Sequence, residues 1–98
     1  QMAKGYWICF YRSISNPDAI AEYARLAGPA IQGGGGRFLG RGNPSKTYEA
    51  GKNLRTVIIE FDSVQQAMKT FESQAYQDAC KVMEGAAERD IRVIEGVA

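Results

Sequence analysis

Arginine, tyrosine and a few carboxylates carry whatever chemistry this chain can do, because it contains no histidine and only two cysteines. The lack of histidine removes the Ser-His and Cys-His couples, a proximal-His haem and most catalytic zinc arrangements. Cys9 and Cys80 lie far apart and form no C-x-x-C or zinc spacing. No metal and no cofactor is therefore expected. Glu60 is the sharpest catalytic candidate, because it stands inside the run Val-Ile-Ile-Glu-Phe. A carboxylate in a covered strand has its charged form disfavoured by desolvation, which raises its pKa and suits a general base. The plainer alternative is a structural ion pair with Arg12, Arg41 or Arg92 on neighbouring strands. Arg37 and Arg41 share a short strand and are expected on one face of it, where they could hold a carboxylate-bearing ligand. Charge on an edge strand also serves simply to prevent pairing with other sheets. Tyr23 and Tyr76 offer hydroxyls from two helices, although a core ring with a wet tip is the commoner use of such residues.

The elements that must position these groups follow from periodicity. Val57, Ile58 and Ile59 are consecutive β-branched residues, stiff at χ1 and suited to a pleated surface. Arg55 to Ser63 therefore reads as a central strand covered on both faces, with Val57, Ile59 and Phe61 pointing one way and Thr56, Ile58 and Glu60 the other. Asp62 then suggests an N-cap, with Gln65 completing a capping box. Tyr6 to Ser13 forms another doubly apolar strand, in which Cys9 is packing material.

Asn16, Pro17 and Asp18 fit N-cap, N1 and N2 of a helix, and Ile20, Tyr23, Ala24, Ala27 and Ile31 repeat at helical spacing. Gly28-Pro29 is expected to kink this helix, and Gly33 to Gly36 to end it. These glycines follow a helix instead of opening one, so they make no phosphate cradle. Arg37 to Gly42 is a short strand, which Lys46 to Glu49 would resume before a turn at residues 50–53. After Asp62, Val64, Ala67, Met68 and Phe71 form one helical stripe; Ser73 caps a second, running from Tyr76 through Ala79, Cys80 and Met83 to Ala87. A break is expected near Glu72 to Gln74. Ile91 to Val97 is the last strand.

Ninety-eight residues with 45% hydrophobic content indicate one domain. A chain this short buries only about 60–70% of the surface it exposes when unfolded. Strands apolar on both faces therefore call for cover from a second copy. Twelve basic and eleven acidic residues leave a net charge of +1, with no nucleic-acid footprint and no polybasic membrane patch. Without a signal peptide or a long apolar span, a reduced cytoplasmic setting is expected. Gln1 before Met2 reads as an expression remnant.

The order βαββαβ is α+β, the ferredoxin-like arrangement. Right-handed crossovers place both helical regions on one face of a four-stranded antiparallel sheet. The other face stays bare, and Trp7 or Tyr6, Ile58 and parts of the last strand would form an apolar patch there, the usual mark of an interface.

At this point the chain resembles a known bacterial family, the domain of unknown function 1330 in the dimeric α+β barrel superfamily. The similarity is carried by Tyr6-Trp7-Ile8, by Tyr23, Pro29 and Gly35-Gly36-Arg37-Phe38, by Gly51 and the run Arg55 to Ser63, by Ser73 with Tyr76-Gln77, and by Val93-Ile94-Glu95-Gly96. Phe71 stands where the family has tryptophan, and Met83 aligns with an arginine late in its second helix. The resemblance implies a homodimer whose sheets close face to face, with a pocket between each sheet and its helices. It implies no reaction.

Three function classes follow. One is a cofactor-independent enzyme acting on a small organic acid or aromatic, as small monooxygenases and muconolactone isomerases of the superfamily do. Another is a non-catalytic dimer that binds a small ligand or regulates. The third, an RNA-recognition module, shares the βαββαβ order but needs stacking aromatics where this chain has Thr56, Ile58 and Glu60. A small-ligand-binding homodimer is the reading that fits best, with no nucleic-acid or membrane partner.

Overall fold

Alternation sorts the two central strands. The computed structural model describes residues 3–97, and Gln1, read above as an expression remnant, lies outside them. In β1 (Gly5–Ile14), Trp7, Cys9 and Tyr11 are buried, while Tyr6, Ile8 and Phe10 turn to the opposite face. In β3 (Thr56–Phe61), Val57, Ile59 and Phe61 are buried, while Ile58 and Glu60 turn away. The strands pair antiparallel, with Trp7 opposite Ile59 and Ile8 opposite Ile58. Adding β2 (Arg37–Gly42) beside β3, and β4 (Ala87–Glu95) beside β1, gives the antiparallel order β2-β3-β1-β4. This is the expected ferredoxin-like α+β sheet. Trp7 belongs to its covered face, so the bare face carries Tyr6 and not Trp7.

Three helices cover that face: α1 (Pro17–Gly33), α2 (Val64–Phe71) and α3 (Gln74–Lys81). Asn16 caps α1 by accepting from the Ala19 amide, Pro17 opens it, and the helix runs on through Pro29 to Gly33. The glycine run then acts as a helix stop, with Gly35 at a φ of 96°, a conformation that favours glycine. The Gly34 carbonyl accepts from the side chains of Gln66 and Thr70, which ties this turn to α2. The break between α2 and α3 falls where expected, and Ser73 caps α3 by accepting from the Tyr76 amide.

The cap of α2 differs from expectation. Ser63, not Asp62, accepts from the Gln66 amide at 3.1 Å, because the Asp62 carboxylate is drawn back to Arg37 and Lys4. The chain stays extended for one residue longer, and the capping role moves with it. The last helix is also shorter than the apolar stripe suggested. It ends at Lys81, and Ala87 opens β4 after a turn in which Gly85 has a φ of 78°. Residues 46–49 form no strand; the long β2–β3 connection leaves Tyr48 77% exposed.

Trp7 anchors the core. It stacks on Phe61 with ring centres 6.0 Å apart, meets Phe71 at 5.3 Å and takes the edge of Tyr76 at 4.8 Å. Such offset and edge contacts add about 0.5–1.5 kcal/mol per pair beyond the area buried. Phe71, the departure from the family pattern, thus packs against the aromatic core, and Met83 is buried in the same core as filler. Among the described residues no helix is long and apolar enough to cross a membrane.

Candidate functional site

Register assembles an arginine-rich row at one end of the covered face. Arg89 on β4 stands opposite Tyr11 on β1. The Tyr11 amide in turn donates to the Arg55 carbonyl at 3.0 Å. Arg55, Tyr11 and Arg89 therefore lie side by side beneath the helices. Arg41 joins from the adjoining row, opposite Val57. Sequence alternation misplaces this residue. An extra residue at Leu39 shifts the β2 register between Phe38 and Gly40, and a bulge of this kind reverses every side chain beyond it. Arg37 and Arg41 consequently occupy opposite faces.

The helices supply the hydroxyls. Tyr23 from α1 and Tyr76 from α3 meet at 2.7 Å between their oxygens. Arg89 Nη1 donates to both, at 3.0 Å to Tyr23 and 3.2 Å to Tyr76, and its Nη2 lies 3.7 Å from Cys80 Sγ. The guanidinium also stands 5.0 Å from the centre of the Tyr23 ring and 5.8 Å from that of Tyr11, within reach of a cation–π attraction. Both tyrosine hydroxyls thus converge on one half-buried cation.

The electrostatics follow from burial. Burial pushes the Tyr11 hydroxyl up to about 12, and it raises Tyr23, Tyr76 and the Cys9 thiol above their ordinary values. Burial works against the charge of Arg89, but the Tyr76 and Tyr23 oxygens beside it more than offset that effect, so it stays cationic. No ion pair neutralises Arg89 among the described residues. At neutral pH the cluster is made of hydrogen-bond donors and one positive charge.

A cavity of about 30 Å³ adjoins the cluster, lined by Tyr11, Tyr23, Phe38, Arg41, Arg55 and Val57 among others. Its volume accommodates about one water molecule. A larger hollow of about 270 Å³ lies on the other face of the sheet, against Phe10, Thr56, Asp90 and Arg92. It borders the bare face and shares Tyr11 with the cluster, but neither Tyr23 nor Tyr76 lines it.

Glu60 takes no part in the chamber. It points to the bare face, where it accepts from Tyr6 Oη at 3.0 Å and Arg37 Nε at 3.1 Å. The Tyr6 hydrogen bond, followed by that of Arg37, holds its pKa below the ordinary carboxylate value. This reverses the expected upward shift, because bonds to the charged form outweigh desolvation. Its cationic partner is Arg37, not Arg12, Arg41 or Arg92. Of the residues singled out from sequence, Tyr23 and Tyr76 come together, Arg41 approaches them, and Arg37 and Glu60 pair elsewhere. Arg89, Arg55 and Tyr11 escaped notice. Arg89 lies between a helical stripe that runs to Ala87 and a strand that begins at Ile91, so sequence alternation assigns it no direction.

A family model described as a domain of unknown function, DUF1330, matches residues 4–97. Among solved structures, a protein of unknown function from Rhodopseudomonas palustris superposes with a TM-score of 0.71 at 19% identity, covering 100% of this chain and 85% of that one. A dimeric ferredoxin-like protein of unknown function from Thermobifida fusca gives 0.68 at 14% identity, covering 97% and 92%. A candidate antibiotic biosynthesis monooxygenase from Nitrosomonas europaea gives 0.66 at 16% identity, covering 99% and 93%. At these identities the likeness is one of fold. No curated protein matches the sequence.

Proposed function

The chain belongs to the family defined by the domain of unknown function DUF1330, and from that premise we propose that it is a homodimer binding a small organic molecule between each sheet and its helices. The observation that carries the ligand half is Arg89. A half-buried guanidinium held by two phenol hydroxyls, with no carboxylate among the described residues to neutralise it, burdens the fold unless something else uses it. Tyr23 and Tyr76 serve as ligand-binding groups in this reading, with Arg41 at the mouth of the cavity.

The dimer half rests on the bare face. Tyr6, Ile8, Phe10, Ile58 and Ile94 share it across β1, β3 and β4, and Phe10, Ile58 and Ile94 are 39%, 37% and 57% exposed. A neighbour in the same fold, the one from Thermobifida fusca, is dimeric. Closure of this face against a second copy would bury the roughly 1,200–2,000 Å² typical of a stable interface. Glu60 and Arg37 would then be a structural pair at its rim. Binding is favoured over proton-abstraction chemistry, because no carboxylate among the described residues reaches the cluster and its phenols are held protonated at neutral pH.

The test combines light scattering with a mass-spectrometric survey of small molecules that co-purify with the protein and with Arg89→Met. A dimer, and one or more compounds enriched on the wild type alone, are expected. A monomer at micromolar concentration would overturn the dimer, and identical small-molecule profiles would overturn the ligand site.

A further inference from the structure

We infer that the chamber takes a small organic carboxylate, its acid group gripped between Arg41 and Arg55 with the Tyr11 hydroxyl donating; this rests on the ligand-binding reading above and names its chemical class. The sorting of the arginines carries the inference. Of the seven in the chain, Arg12, Arg25, Arg37 and Arg92 each have a carboxylate within 4 Å, respectively on Glu88, Glu22, Glu60 and Asp90. Among the described residues Arg41, Arg55 and Arg89 have none, and these are the three that stand on the covered side of the sheet around Tyr11 and Tyr23. A chain with eleven acidic residues has left every guanidinium at this one place without a counter-charge.

A second observation is independent of charge. Tyr11 is only 3% exposed, its hydroxyl has no hydrogen-bond partner among the described residues, and it lines the cavity together with Arg41 and Arg55. Among the described residues no enclosed side-chain oxygen or nitrogen lacks a partner, so the Tyr11 oxygen keeps an opening to free space, where it can donate to a bound acceptor. Guanidinium forks and a phenol O–H match a carboxylate, which accepts several bonds and donates none. The remaining walls, Ala24, Ala27, Ile31, Phe38 and Val57, are apolar and suit the hydrocarbon part of the molecule.

As it stands the cavity is too small for such a molecule. Arg41 is exposed and, among the described residues, is held only by its stacking over the Phe38 ring, 4.3 Å from its centre. Its departure from that ring opens the space between α1 and the β2–β3 edge. The carboxylate then replaces the ring as its partner, and Arg41 closes behind the ligand.

Calorimetric titration of the native dimer with a panel of aliphatic and aromatic carboxylates, their matched amides and inorganic phosphate tests this. Arg41→Gln, Arg55→Gln and the double variant are titrated alongside, each first shown to be folded by circular dichroism. The best carboxylate is expected to bind at least tenfold more tightly than its amide, a preference that weakens with added salt and disappears in the double variant. Arg55→Lys should restore part of it, since charge returns without the fork. Equal binding of amides and carboxylates, unchanged in the double variant, would overturn the carboxylate class and leave the ligand chamber standing. Phosphate binding as tightly as the best carboxylate would also overturn the class. Binding of nothing on the panel, together with identical co-purifying profiles for wild type and Arg89→Met, would overturn both.

Discussion

Glu60 shows how bonding partners decide a side chain's character. Its position inside a strand suggested a raised pKa suited to a general base, but Tyr6 and Arg37 both bond its charged form and lower its pKa. Asp62 is lowered in the same way, chiefly by Lys4 and then by Arg37. A depressed pKa in the folded state adds stability that is present above the unfolded pKa and lost as pH falls through the folded value. The melting temperature should therefore fall as pH drops below the ordinary carboxylate range. Glu60→Gln should melt a few degrees below wild type at neutral pH, with the two curves converging in acid. Thermal melts at a series of pH values check this, and equal melting at neutral pH would show that the pair contributes nothing. The buried phenols predict the opposite slope. Their folded pKa values are raised, so their contribution is complete below the unfolded value of about 10 and is lost as pH rises towards the folded ones. In an ultraviolet titration Tyr11, Tyr23 and Tyr76 should ionise in one cooperative step with alkaline unfolding. A gradual, non-cooperative rise from all tyrosines would contradict it.

At the scale of elements, much of the fold was legible because its signals are local. The doubly apolar strands, the Asn16-Pro17-Asp18 start, the glycine stop and the break at Ser73 all declare themselves within a few residues. What failed was whatever depends on pairing between distant segments. The bulge at Leu39 is invisible until β2 is set against β3, so Arg41 appeared on the wrong face. The Asp62 cap was lost to Lys4, fifty-eight positions away in the chain. Arg89 needed Tyr11 as its cross-strand neighbour before its direction meant anything. Close approach between elements gives a prediction at this scale. A Cβ on Gly5 would stand 2.5 Å from the Ser63 carbonyl carbon and 2.6 Å from the Val64 nitrogen, where the start of β1 passes the first turn of α2. Backbone cannot yield as a flexible side chain does. Gly5→Ala should therefore cost about 1–3 kcal/mol, the usual penalty of overpacking, read as a lowered denaturant midpoint. A substitution at Gly40, which has open space around its Cβ position, is the control and should cost far less. Equal loss at both sites would mean that the β1–α2 approach is not rigid.

For the whole molecule, the two faces of one sheet divide the work. The covered face spends its aromatic residues on a core and its arginines on a chamber, while the bare face presents Tyr6, Ile8, Phe10, Ile58 and Ile94 to whatever closes it. Ile8 and Ile58 stand directly opposite each other at the centre of that face, in the strand pair farthest from both edges of the sheet. A carboxylate placed there would have to be buried against its own copy in a face-to-face dimer, with Ile8 standing between it and Arg92, the residue that pairs with Ile8 on β4. Two like charges desolvated together cost several kcal/mol, whereas on an open monomer surface the same residue would be harmless. Ile58→Glu should therefore shift the protein from dimer to monomer at micromolar concentration, measured by light scattering, and leave the chain folded with its helical signal intact. The chamber lies on the other side of the sheet, so a monomeric Ile58→Glu should still distinguish carboxylates from their amides if each protomer builds its site alone. Loss of that preference on dissociation would mean that the second copy holds the chamber in shape. An Ile58→Glu protein that remains dimeric would place the interface somewhere other than the sheet face.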